Sequence, residues 1–286
     1  MGMNGVSVSS RIAMPEVSSS VVASSRQFRG FKPETERQIR QVDIKANPVI
    51  EQLTRAWKRG GISSDPMYYP NDYYNLADDL SRIGYSSKDV ESFSLVLGDF
   101  TSRKDFPAYA GLFLCALINN CPDKKFIIHT THLPVAIDMF AYRNTKDITV
   151  DGSLGGNCGY MMEMGSLHVR GDVGYDIGSN MIGGSIVIEG NAGDGPGYQM
   201  RGGIHHPVSD LIIQPKICTI LVKGDCGVFA GMEMKGGSLT IKGKAEGFIA
   251  HDMVGGELHV DGRLPKISKS YRSGEIFFRE HLIACK

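Results

Sequence analysis

From Thr149 to Arg263 short apolar runs alternate with polar residues at period two, and each run ends on a charged residue followed by glycine. The endings Val150-Asp151-Gly152, Val169-Arg170-Gly171, Ile188-Glu189-Gly190, Val222-Lys223-Gly224, Ile241-Lys242-Gly243 and Val260-Asp261-Gly262 are 19, 19, 34, 19 and 19 residues apart. The one long step is a single period plus 15 residues. Alternation means strands, and a short fixed period means stacked units that cannot bury a face alone. Nineteen residues fit three short strands and three bends, which predicts a parallel β-helix of about six coils, spaced about 4.8 Å apart. Ile148, Leu167, Ile186, Ile220, Leu239 and Leu258 form one inward column, and Val150, Val169, Ile188, Val222, Ile241 and Val260 the next.

Glycine falls in the same register. Gly155, Gly174, Gly193 and Gly227 make one column, Gly159, Gly178, Gly197 and Gly231 another, and double glycines recur at 183, 202, 236 and 255. These positions predict bends, where positive φ or stacked backbone leaves no room for a Cβ. Met162, Met181, Met200, Met234 and Met253 keep register too and are expected as packing at a narrowing corner. The outward residues Asp151, Arg170, Glu189, Lys223, Lys242 and Asp261 mostly alternate in sign, as register aids of small energetic weight. The Arg170-Gly171-Asp172 triplet is accounted for by these columns.

The pattern ahead of the repeat changes to helical spacing. Asn47 and Pro48 suit a helix start, with Val49, Leu53 and Trp57 on one face and Gly60 at the end. A Tyr- and Pro-rich loop over "DPMYYPNDYYN" then precedes a second helix carrying Leu76, Leu80 and Ile83 and stopped by Gly84. A third, from Asp105 and Pro107 through "AYAGLFLCALINN", is apolar nearly all round and is expected to be buried against the first coil near "KKFIIHT". The chain thus divides into a Ser-rich tail over 1–45, expected to be disordered or tethered to a partner, a helical cap region over 46–122, and a β-helix over 123–286 whose last segment caps the open end.

Composition narrows the function classes. The chain has 286 residues, with 31 basic and 31 acidic side chains. That balance offers no electrostatic footprint for nucleic acid or an anionic membrane, and no apolar run is long enough for a span. Six cysteines without a C-x-x-C pair are expected as reduced packing thiols, which suits a cytoplasmic protein; the Ser-rich start leaves export or an organelle as the alternative address.

The pattern G-x-x-x-G-x-x-M-x-G-G, followed by an alternating strand and a charged residue before glycine, resembles the GXGXG-motif domain. That domain forms the C-terminal β-helix of glutamate synthase large subunits and also occurs as a separate subunit of formylmethanofuran dehydrogenases. The likeness runs from Phe126 to Arg263. It implies a right-handed β-helix without an active site of its own, serving as a spacer or docking surface for catalytic domains. It also implies structural roles for the column glycines Gly155, Gly159, Gly174, Gly178, Gly193, Gly197, Gly227 and Gly231. The helical front end falls outside the resemblance, and Glu246 and Ala250 replace two column glycines, which predicts a less regular fifth coil.

The 15-residue excess from Ile204 to Cys218 is the main irregularity. Insertions in a solenoid lie on one face and often make its specific contact, so His205, His206 and Asp210 are candidate partner-binding residues. Adjacent histidines in an extended chain point apart and make a poor metal pair. His129 and His132 beside the first coil are expected as a hydrogen-bonded cap. With no catalytic, metal or cofactor motif, the expected function is a noncatalytic scaffold that docks a partner protein. The alternative is a small enzyme with a site between helices and coils, joining Tyr68, Tyr69 or Tyr73 with His129, His132 or His205.

Overall fold

The computed structural model describes residues 47–202, 218–263 and 265–286. Four helices come first, α1 (Pro48–Arg59), α2 (Tyr69–Leu80), α3 (Ser87–Val96) and α4 (Phe106–Asn120). The strands are β1 (Lys125–His129), β2 (Asp147–Asp151), β3 (Ser166–Val169), β4 (Gly184–Ile188), β5 (Cys218–Val222), β6 (Ser238–Ile241), β7 (Phe248–Ile249), β8 (Val254–Val260), β9 (Lys266–Ile267), β10 (Ser273–Phe278) and β11 (His281–Cys285).

The main sheet runs β1-β2-β3-β4-β5-β6-β8-β10-β11, parallel throughout except for the last pair. It is a β-solenoid of about seven turns. Both inward columns hold: Ile148, Leu167, Ile186, Ile220, Leu239 and Leu258 are register neighbours, as are Val150, Val169, Ile188, Val222, Ile241 and Val260. The stack is longer than the expected six coils because the C-terminal segment, read as a cap, contributes β10 with Ile276 in the first column. Gly274 keeps the bend glycine there at φ 115°. The cap is β11 alone, paired antiparallel on β10.

β4 and β5 stay in register across the insertion, with Gly184 opposite Cys218 and Ile188 opposite Val222. The outward charges pair between rungs, Lys223 with Glu189 and Lys242 with Asp261 each at 2.7 Å and Arg170 with Asp151 at 3.5 Å. The five register methionines are fully buried. The methyl groups of Met162, Met200 and Met234 occupy the space left by the second glycine of the next coil, a Cβ on Gly184 lying 2.9 Å from the Met162 Cε.

The bends through Glu233 are built from left-handed residues at alternate positions, as at Asn157, Gly159 and Met161, then Asp176, Gly178 and Asn180. The middle position needs glycine in the central coils because it faces the bore, where a Cβ on Gly159 would sit 2.6 Å from Ile186 Cδ1. The Gly155 column has the other cause: a Cβ on Gly174 would meet the Gly155 carbonyl carbon at 2.6 Å. Ala250 takes the same left-handed conformation (φ 56°), and Glu246 still donates its amide to the Cys226 carbonyl. The coil is still less regular, as expected: Gly247 is left-handed one position earlier than in the other coils, and Phe248–Ile249 forms the short strand β7 on β9.

The helical region departs from expectation in two places. The segment over 65–75 is not a loop: the Asp65 carboxylate accepts the Met67 amide at 2.9 Å, Pro66 opens a short 3-10 turn, and α2 starts at Tyr69 with Pro70 next. Proline starts helices as readily as it breaks them, because the first amides need no intrahelical partner. α2 then ends at Leu80, before Ile83 and Gly84. The second departure is α3, an additional helix opened by a capping box in which Asp89 accepts the Ser86 amide at 2.9 Å.

α4 seals the first coil as its composition predicts, buried from Ala108 through Ile118. A Cβ on Gly111 would strike the Asp138 carbonyl, so only glycine lets helix and coil backbone approach this closely. α3 covers β1, the Ser94 hydroxyl accepting the His129 amide at 3.1 Å. Trp57 anchors the helices against Phe93, Phe100, Phe106, Tyr109 and Phe113, with ring centroids 4.5 to 6.1 Å away. The buried side chains form one continuous core from Ile50 to Ile276.

Candidate functional site

A cleft of about 550 Å³ opens between the helical region and the bends of the first rungs. Its helical wall is the 3-10 turn with Met67, the start of α2 with Tyr69, and Ala108 of α4. Its floor is the bend face, where successive coils contribute Asp138, Asn157 and Tyr160, Tyr175 and Asp176, and Tyr198. The stack sets these positions because a bend residue recurs once per coil. Coil-to-coil hydrogen bonds fix the row, the Asn157 amide donating to the Tyr175 carbonyl and the Asp176 amide to the Asp194 carbonyl, each at 2.8 Å. Left-handed backbone is least costly for Asn and Asp among residues with a side chain, which is why polar groups line this edge.

Burial pushes the Asp138 carboxyl above the usual range, partly offset by the Gly156 amide that donates to its Oδ1 at 2.8 Å. Burial also raises Asp176, and the like charge of Asp194 adds to the shift. Tyr69 and Tyr175 are pushed up by burial first and by the charge of Asp138 second. No Lys, Arg or His lines the cleft among the described residues. The site is aromatic in its walls and uniformly negative in its charge.

The concave site thus lies where the enzyme alternative placed it, but with different residues. Of the tyrosines expected there only Tyr69 lines it. Tyr73 is buried with its hydroxyl on Asn119, and Tyr68 is exposed outside the lining. His129 ties cap to coil, its Nε2 3.2 Å from Glu91 and its Nδ1 3.4 Å from Asp151. His132 is held below the ordinary histidine value by burial and then by His129. Neither histidine reaches the cleft, and His205, His206 and Asp210 lie outside the described residues.

Sequence reasoning does not single out Asp138 or Asp176. The available signal, for Asp176 alone, is the recurrence of Asn157 and Asp176 two residues before Gly159 and Gly178. All six cysteines are free thiols; five are buried, with Cys115 and Cys226 pushed up to about 12 by burial, and Cys285 is exposed. Among the described residues no group of three His, Cys, Asp or Glu side chains could hold a metal ion, and no helix is long and apolar enough to cross a membrane. No protein-family model and no curated protein matches the chain.

Proposed function

We propose that this chain is a noncatalytic β-solenoid scaffold that docks a partner protein, its coils patterned like the GXGXG-type domain of glutamate synthase. The observation that carries this reading is an exposed aromatic pair on the bend edge just beyond the insertion. Phe229 and Phe248 recur in successive coils, joined by the Phe229 amide to the Phe248 carbonyl at 3.1 Å, and remain 41% and 51% exposed. An apolar pair held rigidly on a solenoid edge suits a protein contact. The 15-residue insertion supports the same reading, because β4 and β5 stay in register on either side of it.

Copurification of the tagged full chain from its native cells, followed by mass spectrometry, tests the reading. Phe229→Ser with Phe248→Ser in one variant, and deletion of 204–217 in another, should each lose the same protein that wild type retains, with unchanged circular dichroism. Retention of every copurifying protein by both variants would overturn the docking role.

A further inference from the structure

We infer that the cleft between α2 and the first bends is a binding site for a small organic cation, an ammonium group carrying apolar substituents. This goes beyond the docking role and uses a different face of the solenoid.

Three features select the ligand class. The first is aromatic surface: Tyr69, Tyr160, Tyr175 and Tyr198 approach from the helical region and three coils around one cavity. Tyrosine faces attract cations through the ring quadrupole, and most strongly where water is partly excluded.

The second is charge without compensation. Asp138 has its Oδ1 satisfied by the Gly156 amide, and neither it nor Asp176 makes an ion pair among the described residues. Two half-buried carboxylates facing a cleft that no basic side chain lines among the described residues carry a desolvation cost that a bound cation would offset. A neutral sugar would use the same rings and hydrogen-bond acceptors but would leave that charge uncompensated. Burial raises both carboxyls, and the like charge of Asp194 adds to the shift at Asp176.

The third is rigidity and size. The backbone of the row is fixed by coil-to-coil bonds and the Asp138 carboxylate by the Gly156 amide, so these positions are set before a ligand arrives, which lowers the cost of binding. A volume near 550 Å³ lies within the ordinary range for small-molecule sites.

Isothermal titration calorimetry on the full chain, with choline as the cationic probe and 3,3-dimethylbutan-1-ol as its uncharged isostere, tests this. Choline should bind saturably, and the isostere about tenfold or more weakly. Asp138→Asn and Asp176→Asn should each weaken choline severalfold while leaving the isostere unchanged, and Tyr175→Leu should weaken both. Equal affinity for choline and its isostere in the wild-type chain would overturn the proposal, as would absence of choline saturation, or tighter binding of glucose than of choline. The wild-type comparison decides the matter even if a variant fails to fold.

Discussion

The helical cap and the solenoid bury their side chains by opposite strategies. In the cap, one indole collects five rings from three other segments, Tyr109 donates its hydroxyl to the Trp57 carbonyl at 3.0 Å, and Arg103 lies over the Tyr109 ring while pairing with Asp105. No contact is repeated. In the solenoid the same contact recurs once per turn, so each residue meets only the coils above and below it. Loss of one large side chain should therefore be felt across the whole cap, whereas loss in a coil should stay local.

The sharpest way to break that comparison is Phe113→Ala. Phe113 is fully buried against Trp57, Phe93 and Tyr109, and removing such a ring costs about 3–5 kcal/mol. The cost should appear as a lower urea midpoint. Because α4 seals the first coil, hydrogen exchange should also rise in β1 and β2 and stay unchanged in β6 and β8. Equal loosening of every rung would show that the coils do not act as nearest-neighbour units.

A smaller effect follows within the coils. Gly178 and Gly197 share left-handed backbone, φ 68° and 72°, but a Cβ meets different neighbours. At Gly178 it would strike Ile220 Cδ1, whereas at Gly197 it would lie 3.2 Å from Leu239 Cδ2, the end of a side chain that can rotate away. Gly178→Ala should cost about 1–3 kcal/mol by overpacking, and Gly197→Ala less. Ile220→Val removes the colliding methyl and should restore part of the loss in a double-mutant cycle. If the two glycine variants cost the same, backbone conformation rather than the bore would be the cause.

The outward charge column comes next. Lys242 and Asp261 are 2.7 Å apart, but Lys242 is half exposed. Such pairs contribute about 0.2–1 kcal/mol and are screened by salt. Lys242→Ala should lower stability by no more than that in low salt and by nothing measurable in molar sodium chloride.

The two strategies also decide what the sequence can reveal. A recurring period averages out local ambiguity, so both inner columns, the methionine column and the bends are legible from the sequence alone. The cap has no repeat to average over. α4 is legible because fifteen residues are apolar nearly all round, but α3 is hidden by four serines in and before it, although Ser86 and Asp89 carry a readable capping box. β10 escapes notice because only Gly274, Ile276 and Phe278 keep the repeat's positions, the last with an aromatic in place of the aliphatic column. The cleft is the least legible feature, since Tyr69 and Asp138 meet only through the docking of cap on coil, a distance in sequence that no periodicity encodes.

That docking should also leave a trace in pH dependence, and here the expected effect is the smallest and reversed in sign. Asp138 sits above the usual carboxylate range when folded, chiefly through burial. Between the ordinary aspartate value and its raised one the folded chain holds more proton than the unfolded, so this residue's contribution falls as pH rises through that window and then stays constant. The ionisable groups facing it, Tyr69, Tyr175 and Cys158, are themselves pushed up by burial and stay neutral throughout. Asp105 works in the opposite direction, because its hydrogen bond from Arg103 holds it low and its contribution is lost on acidification. The whole-chain profile mixes the two, but the difference between wild type and Asp138→Asn isolates the first. Asparagine can still accept the Gly156 amide, so the variant should be slightly more stable than wild type in urea at neutral pH, with the gap closing as pH falls toward about 4. A gap that widened on acidification would mean that Asp138 holds a positive partner in the folded chain, and that the cleft's charge is already compensated.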